Sequence, residues 1–381
     1  MNEIITPPHQ QTAVIPRKPR NSNLELYRII VMLMIVAHHY VVNSNLWPLL
    51  QEAPLSPSST AMTIFGAWGK TGINCFLMIT GYFMCKSDFS WQKLLKLYIQ
   101  IAFYSIIIYG IFCITGHETL SPLKLVWTLW PLKGFHPSDF ISCFLMFYLF
   151  IPFLNIFLKH IDRRQHLYLM VLLLLFYALL PTVPAIKIQF NYVSWFMAIY
   201  IIAAYIRFYG MFPKISHRMW GILSLIFVAG GAASVFLLEA VYKLGYIPQY
   251  NPYFFVADSN KLLSLLIAVA SFMYFKDLKI PHSRLINALG AATFGVLLIH
   301  ANSAAMRQWL WNETVDCAGH LLPSAWLSVG YAAASVAVIF IVCAGIDWFR
   351  GRYVEPRLLS FFWERGTRML GRFRLVGKKA E

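Results

Sequence analysis

The chain has 381 residues, of which 59% are apolar and 13% are charged, and its mean hydropathy is +0.59. Soluble domains average about 45–50% apolar and about 25% charged residues, so this composition excludes a disordered chain, a disulfide scaffold and an ordinary cytosolic enzyme. It predicts an all-α, polytopic membrane protein. The formal net charge of +16 then indicates topology rather than a nucleic-acid partner.

Three regions follow one another along the chain. Residues 1–22 are polar and rich in proline, which predicts a disordered cytoplasmic N-terminus. Residues 23–350 form a predicted transmembrane domain, and residues 351–381 form a basic cytoplasmic tail that we expect to lie on anionic lipid. Ten apolar segments, each near the length of a membrane span, are predicted at 24–43, 62–84, 94–115, 139–158, 165–183, 192–211, 219–241, 260–276, 287–311 and 324–348.

Lys and Arg concentrate before the first segment, in every second connection and in the tail. This alternation is the positive-inside pattern, and it predicts about ten helices with both termini in the cytoplasm. The first segment is too long for a signal peptide, and no small-residue cleavage site follows it. The six cysteines show neither a disulfide framework nor metal-ligand spacing, so no metal is predicted.

The first segment carries two polar residues that are expensive to place in a bilayer. Arg28 and His39 are eleven residues apart, which puts them on one helix face, about 16 Å apart along the axis. Arg28 would lie near the cytosol and His39 in the outer half. A catalytic pair is one interpretation; the other is a snorkelling anchor at Arg28 and an interfacial His39 bonded to a carbonyl. His38 points about 100° away from His39 and is predicted to be structural.

The second and third segments add basic side chains. Lys70 lies at about the depth of His39, and Asn74 is four residues further on the same helix face. Lys70 is predicted either to line a functional site or to mark a late helix start in wet surroundings. Lys93 and Lys96 begin the third segment on one face, where they can hold the phosphates of a cytosolic donor or serve as ordinary positive-inside residues.

The ninth segment contains His300, about 20 Å above its inner end and again near the depth of His39. A shared polar layer of His39, Lys70 and His300 is therefore expected. The sequence has no nucleotide-binding glycine loop, no GxSxG elbow and no soluble-acyltransferase HxxxxD pattern.

The chain resembles the acyltransferase family 3 membrane proteins over residues about 22–348. The resemblance is carried by Arg28-x10-His39, by Phe76–Phe83 (similar to FFxxSGF), by the basic pair Lys93 and Lys96, by Phe144–Pro152 and by Val296–His300. Two positions depart from the family pattern: the basic pair is usually two Arg, which weakens bidentate phosphate binding, and Thr80 replaces Ser. The esterase-like domain fused to some members is absent from this sequence.

The resemblance implies an O-acyltransferase, most simply an O-acetyltransferase, in a bacterial inner or plasma membrane. Acetyl-CoA or another acyl-CoA would be the donor substrate, with no permanently bound cofactor, and the acceptor would be a cell-surface or lipid-linked glycan. Arg28 would handle the donor, and His39 would be the general base. To this we add Lys93 and Lys96 as phosphate contacts, and Lys70, Asn74 and His300 as substrate or oxyanion contacts.

Two rival functions remain open at the level of sequence. A glycan or solute transporter, or a flippase, would line a path with Arg28, Lys70 and His39 and would release no CoA. A protein of the membrane-bound O-acyltransferase class would use a buried histidine in its C-terminal half, for which His300 is suitable. A purely structural scaffold would leave the buried ionisable groups without a role.

Overall fold

The computed structural model describes residues 20–130, 140–186, 188 and 191–362. Within these ranges every regular element is a helix, the helices are joined by turns and loops, and no strand is present. The predicted disordered N-terminus and most of the predicted basic tail lie outside the described residues. The helices are α1 Ser22–Val42, α2 Leu46–Glu52, α3 Pro57–Gly66, α4 Gly69–Met84, α5 Trp91–Ile114, α6 Pro122–Leu129, α7 Phe140–His160, α8 Arg163–Thr182, α9 Tyr192–Tyr209, α10 His217–Lys243, α11 Leu262–Asp277, α12 Arg284–His300, α13 Ala304–Thr314 and α14 Ala325–Phe362.

Seven of the described helices are long and apolar enough to cross a membrane, and the bent pair α12–α13 makes up to eight. The seven are α1, α5, α7, α8, α9, α10 and α14. The all-helical architecture of a multi-pass membrane protein is therefore confirmed. Ten spans were expected; α4 and α11, with 16 residues each, are shorter than all seven of these helices and are not among them. The count of ten and the cytoplasmic side of the termini stay predictions.

Two predicted segments are divided in the structure. The segment 62–84 consists of the end of α3 and all of α4, and the segment 287–311 is interrupted after His300 by a bend of 97°. A side-chain cap explains the second break, because the Ser303 hydroxyl accepts a hydrogen bond from the Met306 backbone N–H and begins a new helix. His300 is consequently the last residue of α12, at the bend, and does not lie in the middle of a continuous helix.

Helix α1 lies at the centre of the bundle, where it packs against α3, α4, α12 and α14. Glycines on α4 permit the close approach of α1. A Cβ atom at Gly69 would overlap the ring of His38, and one at Gly72 would lie 2.8 Å from the Cγ1 of Ile35. Small residues at helix interfaces serve this purpose in membrane proteins.

Helices α1 and α12 run side by side in the same direction. The Ser22 hydroxyl donates to the Asn287 side chain at 3.0 Å near their first residues, and His39 meets His300 near their last residues. We refer to these two levels of the bundle as the Arg28 end and the His39 end. The positions of the functional residues are described below relative to these two ends.

A buried ion network joins α5 to α14. The Asp347 carboxylate accepts hydrogen bonds from Gln100 at 3.0 Å, from Tyr104 at 2.8 Å and from Arg350 at 2.9 Å. Arg350 also donates to Glu355 at 2.8 Å. Helix α14 thus continues without interruption past residue 350, where the sequence suggested the start of a tail, because this network fixes the turn that contains Arg350.

Candidate functional site

A cavity of about 350 Å³ lies beside α1, between α4, α5 and α12. Most of its wall is apolar, and its polar residues include His39, Lys70 and Arg307. No Asp or Glu is among the described residues that line it. The cavity therefore combines two imidazole rings, those of His38 and His39, with two cationic side chains in a largely apolar enclosure. The Nδ1 of His38 is occupied, since it lies 2.6 Å from the Gly66 carbonyl oxygen.

One face of α1 connects the cavity with the Arg28 end. Arg28, Met32, Ile35 and His39 follow one another at steps of four, three and four residues, which places them in one stripe along the helix. Met32, Ile35 and His39 line the cavity, whereas Arg28 lies beyond its described lining. Two apolar side chains therefore separate the predicted donor-binding cation from the predicted base.

His39 is paired with His300, from the end of α12. The Nδ1 of His39 lies 2.9 Å from the Nε2 of His300, and the Nδ1 of His300 lies 2.6 Å from the carbonyl oxygen of Val296. A carbonyl can only accept, so His300 Nδ1 carries a proton, and in a neutral ring its Nε2 is an acceptor. His39 Nδ1 therefore donates, which leaves the Nε2 lone pair of His39 available to a substrate.

His300 supports His39 from behind and does not itself face the cavity. It is fully buried, both of its ring nitrogens have partners, and its ring packs edge-on against Trp311. The expected proximity of His39 and His300 is thus present. A direct oxyanion contact from His300 does not fit, because neither ring nitrogen has a hydrogen bond left to offer.

Lys70 and Asn74, which we expected on one functional surface, have different surroundings. Lys70 is the second residue of α4, lines the cavity and donates to the Tyr192 hydroxyl at 2.8 Å. Asn74 is fully buried; its amide donates to the Ser259 carbonyl at 2.6 Å and accepts from the Trp195 indole at 2.9 Å. Asn74 is therefore engaged in holding α4 against its neighbours and is absent from the described cavity lining.

Arg307 lines the cavity, although it was not among the site residues predicted from the sequence. It lies on α13, and the 97° bend after His300 turns this short helix to the cavity wall. Asn302, at the bend, donates to the Leu298 carbonyl at 2.9 Å and also lines the cavity. Arg307 follows His300 by only seven residues, which could have suggested that both lie near the same site. The bend that brings Arg307 to the cavity wall was not predicted from the sequence.

Arg28 is held by an acidic partner that the sequence analysis did not single out. The Glu25 carboxylate accepts hydrogen bonds from Arg28 at 2.9 Å and from Arg20 at 3.2 Å. Glu25 is buried, and a Cβ atom at Gly290 of α12 would lie 2.5 Å from its second carboxylate oxygen. The sequence could have indicated this ion pair, because Glu25 precedes Arg28 by three residues and so lies on the same helix face.

Lys93 and Lys96 lie in the first turns of α5, toward the Arg28 end. Ile101, five residues after Lys96, is the first residue of α5 that lines the cavity, about 7.5 Å further along the helix. Both lysines are exposed, and Lys96 forms an ion pair with Glu355. The pair is thus near the cavity entrance expected for a donor, with Lys96 already sharing its charge.

The arrangement is suited to proton transfer in a largely apolar enclosure. Among the residues that the structure describes, no three His, Cys, Asp or Glu side chains are grouped to hold a metal ion. A neutral imidazole with an oriented tautomer can accept the proton of a hydroxyl. Neighbouring cations can stabilise negative charge that develops during such a reaction.

Comparison with known proteins gives one family match. The family model described as an acyltransferase domain, of acyltransferase family 3, matches residues 21–347. No curated protein and no solved structure matches the chain. The matched range begins with α1 and ends at Asp347, so it includes every residue of the cavity lining.

Proposed function

The chain belongs to acyltransferase family 3, and from this we propose that it is an integral-membrane O-acyltransferase of a bacterial inner membrane. It would move an acyl group, most simply acetyl, from a cytoplasmic acyl-CoA to a hydroxyl of a cell-surface or lipid-linked glycan. The observation that carries the proposal is the oriented His39–His300 pair, which presents a free imidazole nitrogen in a cavity.

The donor enters at the Arg28 end. Arg28 uses one of its guanidinium N–H groups for Glu25, and the guanidinium has further donors that can bind phosphate. Lys93 and Lys96 provide additional positive charge nearby, although Lys96 must share its ammonium with Glu355. The cationic groups at this end fit the phosphates of a coenzyme A thioester.

The apolar stripe between Arg28 and His39 fits the remaining part of the donor. The two residues are separated by about 16 Å along α1, and Met32 and Ile35 line the cavity between them. A long, thin pantetheine arm suits this path, which brings the thioester to His39. Exclusion of water by the apolar wall protects the thioester from hydrolysis.

At His39, transfer proceeds by general base catalysis. The Nε2 of His39 takes the proton of the acceptor hydroxyl while that oxygen attacks the thioester carbonyl and forms a C–O bond. The tetrahedral oxyanion then collapses, the C–S bond breaks, and the imidazolium gives its proton to the departing CoA thiolate. Lys70 provides positive charge for the oxyanion.

The His39–His300 pair also bears on the two rival functions. A base at His300, as in a membrane-bound O-acyltransferase, would require a free ring nitrogen, and both are occupied. A transporter or flippase would gain nothing from a fixed histidine tautomer.

The test is incubation of the purified protein in nanodiscs with acyl-labelled acetyl-CoA and total cell glycan. Label in glycan together with free CoA is expected, and unmodified glycan without CoA release would contradict the proposal.

His300 provides the second test of this chemistry, because it orients His39. Replacement of His300 with Leu removes the acceptor for His39 Nδ1 and leaves a buried donor unpaired, which costs about 1–3 kcal/mol. We expect kcat for transfer to fall roughly 10- to 100-fold, with little change in the KM for acyl-CoA. The measurement is steady-state transfer by the two proteins in nanodiscs.

His300→Gln is the matched variant, since its amide oxygen can accept the same hydrogen bond. It should retain more of kcat than His300→Leu does. Equal loss in both variants, or full kcat in His300→Leu, would contradict the positioning role while leaving the role of His39 intact.

A further inference from the structure

The charge of the cavity at the His39 end exceeds what the transfer reaction requires. Lys70 and Arg307 both line the cavity, together with His39. No carboxylate belongs to the described lining, and neither cation takes part in any ion pair among the described residues. One cation is enough for a single developing oxyanion.

The two cations differ in their partners. Lys70 donates to the Tyr192 hydroxyl, and its ammonium lies 5.4 Å from the centre of the Tyr192 ring. Arg307 is half-buried, and within the described part of the chain its guanidinium has no hydrogen-bond partner. A partly buried guanidinium without an acid is expensive unless a ligand supplies the negative charge.

The position of Arg307 indicates which substrate supplies it. Arg307 follows His300 along the chain and lies at the His39 end, whereas the donor phosphates belong at the Arg28 end, on the far side of the apolar stripe. The acceptor hydroxyl must approach His39 from the end opposite to the donor. A group that reaches Arg307 is therefore attached to the acceptor.

From this we propose that Arg307 binds a carboxylate or phosphate group of the acceptor, so that the acylated glycan unit is acidic. This inference rests on the proposed acyltransferase function. A guanidinium binds both of these anions through two parallel N–H bonds. Such a contact fixes the sugar as well as attracting it, which selects one hydroxyl for His39. Lys70 remains free to stabilise the oxyanion.

The first arm of the test identifies the acceptor in cells. Glycans are isolated from cells that produce the wild-type protein or His39→Ala, and the acylated saccharide units are identified by mass spectrometry. We expect acyl groups that depend on His39, on units that carry a carboxylate or phosphate. An acylated saccharide unit that is itself neutral overturns the inference about Arg307 and leaves the proposed function intact. This holds even where the acyl group is a dicarboxylic acid that brings its own charge. The absence of any His39-dependent acyl group overturns the proposed function and the inference with it.

The second arm removes the charge from that acceptor. Its carboxyl groups are reduced to alcohols, or its phosphates are cleaved, and both forms are assayed with wild-type protein in nanodiscs. Loss of a charge-assisted contact should raise the acceptor KM roughly 10- to 100-fold. Arg307→Gln should show the same high KM with either form, and Arg307→Lys should recover part of the difference.

The split between KM and kcat separates acceptor binding from oxyanion stabilisation. A role for Arg307 in the oxyanion would lower kcat with both acceptor forms, and that result would overturn the inference. Arg218→Gln is the matched control, because Arg218 is exposed on α10 and does not line the cavity. It should behave as the wild type with both acceptors.

Discussion

Replacement of His39 with Ala is expected to lower acyl transfer by about 10²- to 10⁴-fold, the usual contribution of a positioned general base. This corresponds to about 3–5 kcal/mol of transition-state free energy. The acceptor hydroxyl then has no proton acceptor at the position of His39 Nε2, because the His300 ring is anchored further back by the bond of its Nδ1 to the Val296 carbonyl. The measurement is transfer of labelled acetyl groups by protein in nanodiscs at saturating acetyl-CoA.

Binding of acyl-CoA should survive this change, since Arg28 lies about 16 Å away along α1. The affinity for acetyl-CoA is therefore the internal check that the variant is folded. His160→Ala is a matched control, because His160 is exposed and, among the described residues, bonds to the Ile156 carbonyl of its own helix. A His39→Ala protein that keeps more than a tenth of wild-type kcat would remove His39 from the mechanism.

Replacement of Asp347 with Ala is expected to give the largest loss of stability, about 3–5 kcal/mol of unfolding free energy, as when a buried ion pair loses one partner. Asp347 and Arg350 are each 5% exposed, and the same Asp347 oxygen also accepts from Gln100 and Tyr104. The change leaves Gln100 and Tyr104 without this acceptor and removes one of the two acidic partners of the buried Arg350 guanidinium. Unfolding in mixtures of mild detergent and dodecyl sulfate measures the difference.

The matched control is Asp277→Ala. Asp277 pairs with Lys276 at 2.6 Å, but its side chain is 51% exposed, and exposed pairs contribute about 0–1 kcal/mol. Asp347→Asn should fall between the two, since it keeps an oxygen for Tyr104 and loses only the charge opposite Arg350. Equal stabilities of Asp347→Ala and Asp277→Ala would show that the network is not structural.

Much of the fold follows from composition and periodicity, because every helix in a bilayer must satisfy its own backbone and be apolar over most of its length. Each of the ten apolar segments corresponds to a helix or a pair of helices within the described ranges. The breaks were harder to predict. The bend after His300 depends on a cap by Ser303, and a single serine in an apolar stretch is not enough to predict a turn.

The candidate site was predictable along α1 but not across helices. The spacing of Arg28 and His39 fixes their common face, since helical periodicity is a local property. Contacts between helices depend on packing, which a single sequence does not report. From position alone, His300 was expected in a shared polar layer without its role behind His39. Asn74 was grouped with Lys70, and Arg307 was not predicted to belong to the site.

The hydrogen bond between His39 and His300 joins residues that are 261 positions apart in the chain. During synthesis at about 5–20 residues per second, His300 is added roughly 13–50 s after His39. For that interval the first helices are already in the membrane, but the imidazole that would accept a proton has no fixed tautomer. In the proposed acyl transfer, a chain that ends before His300 therefore lacks the residue that orients the base, and the oriented base forms only when nearly the whole bundle has assembled.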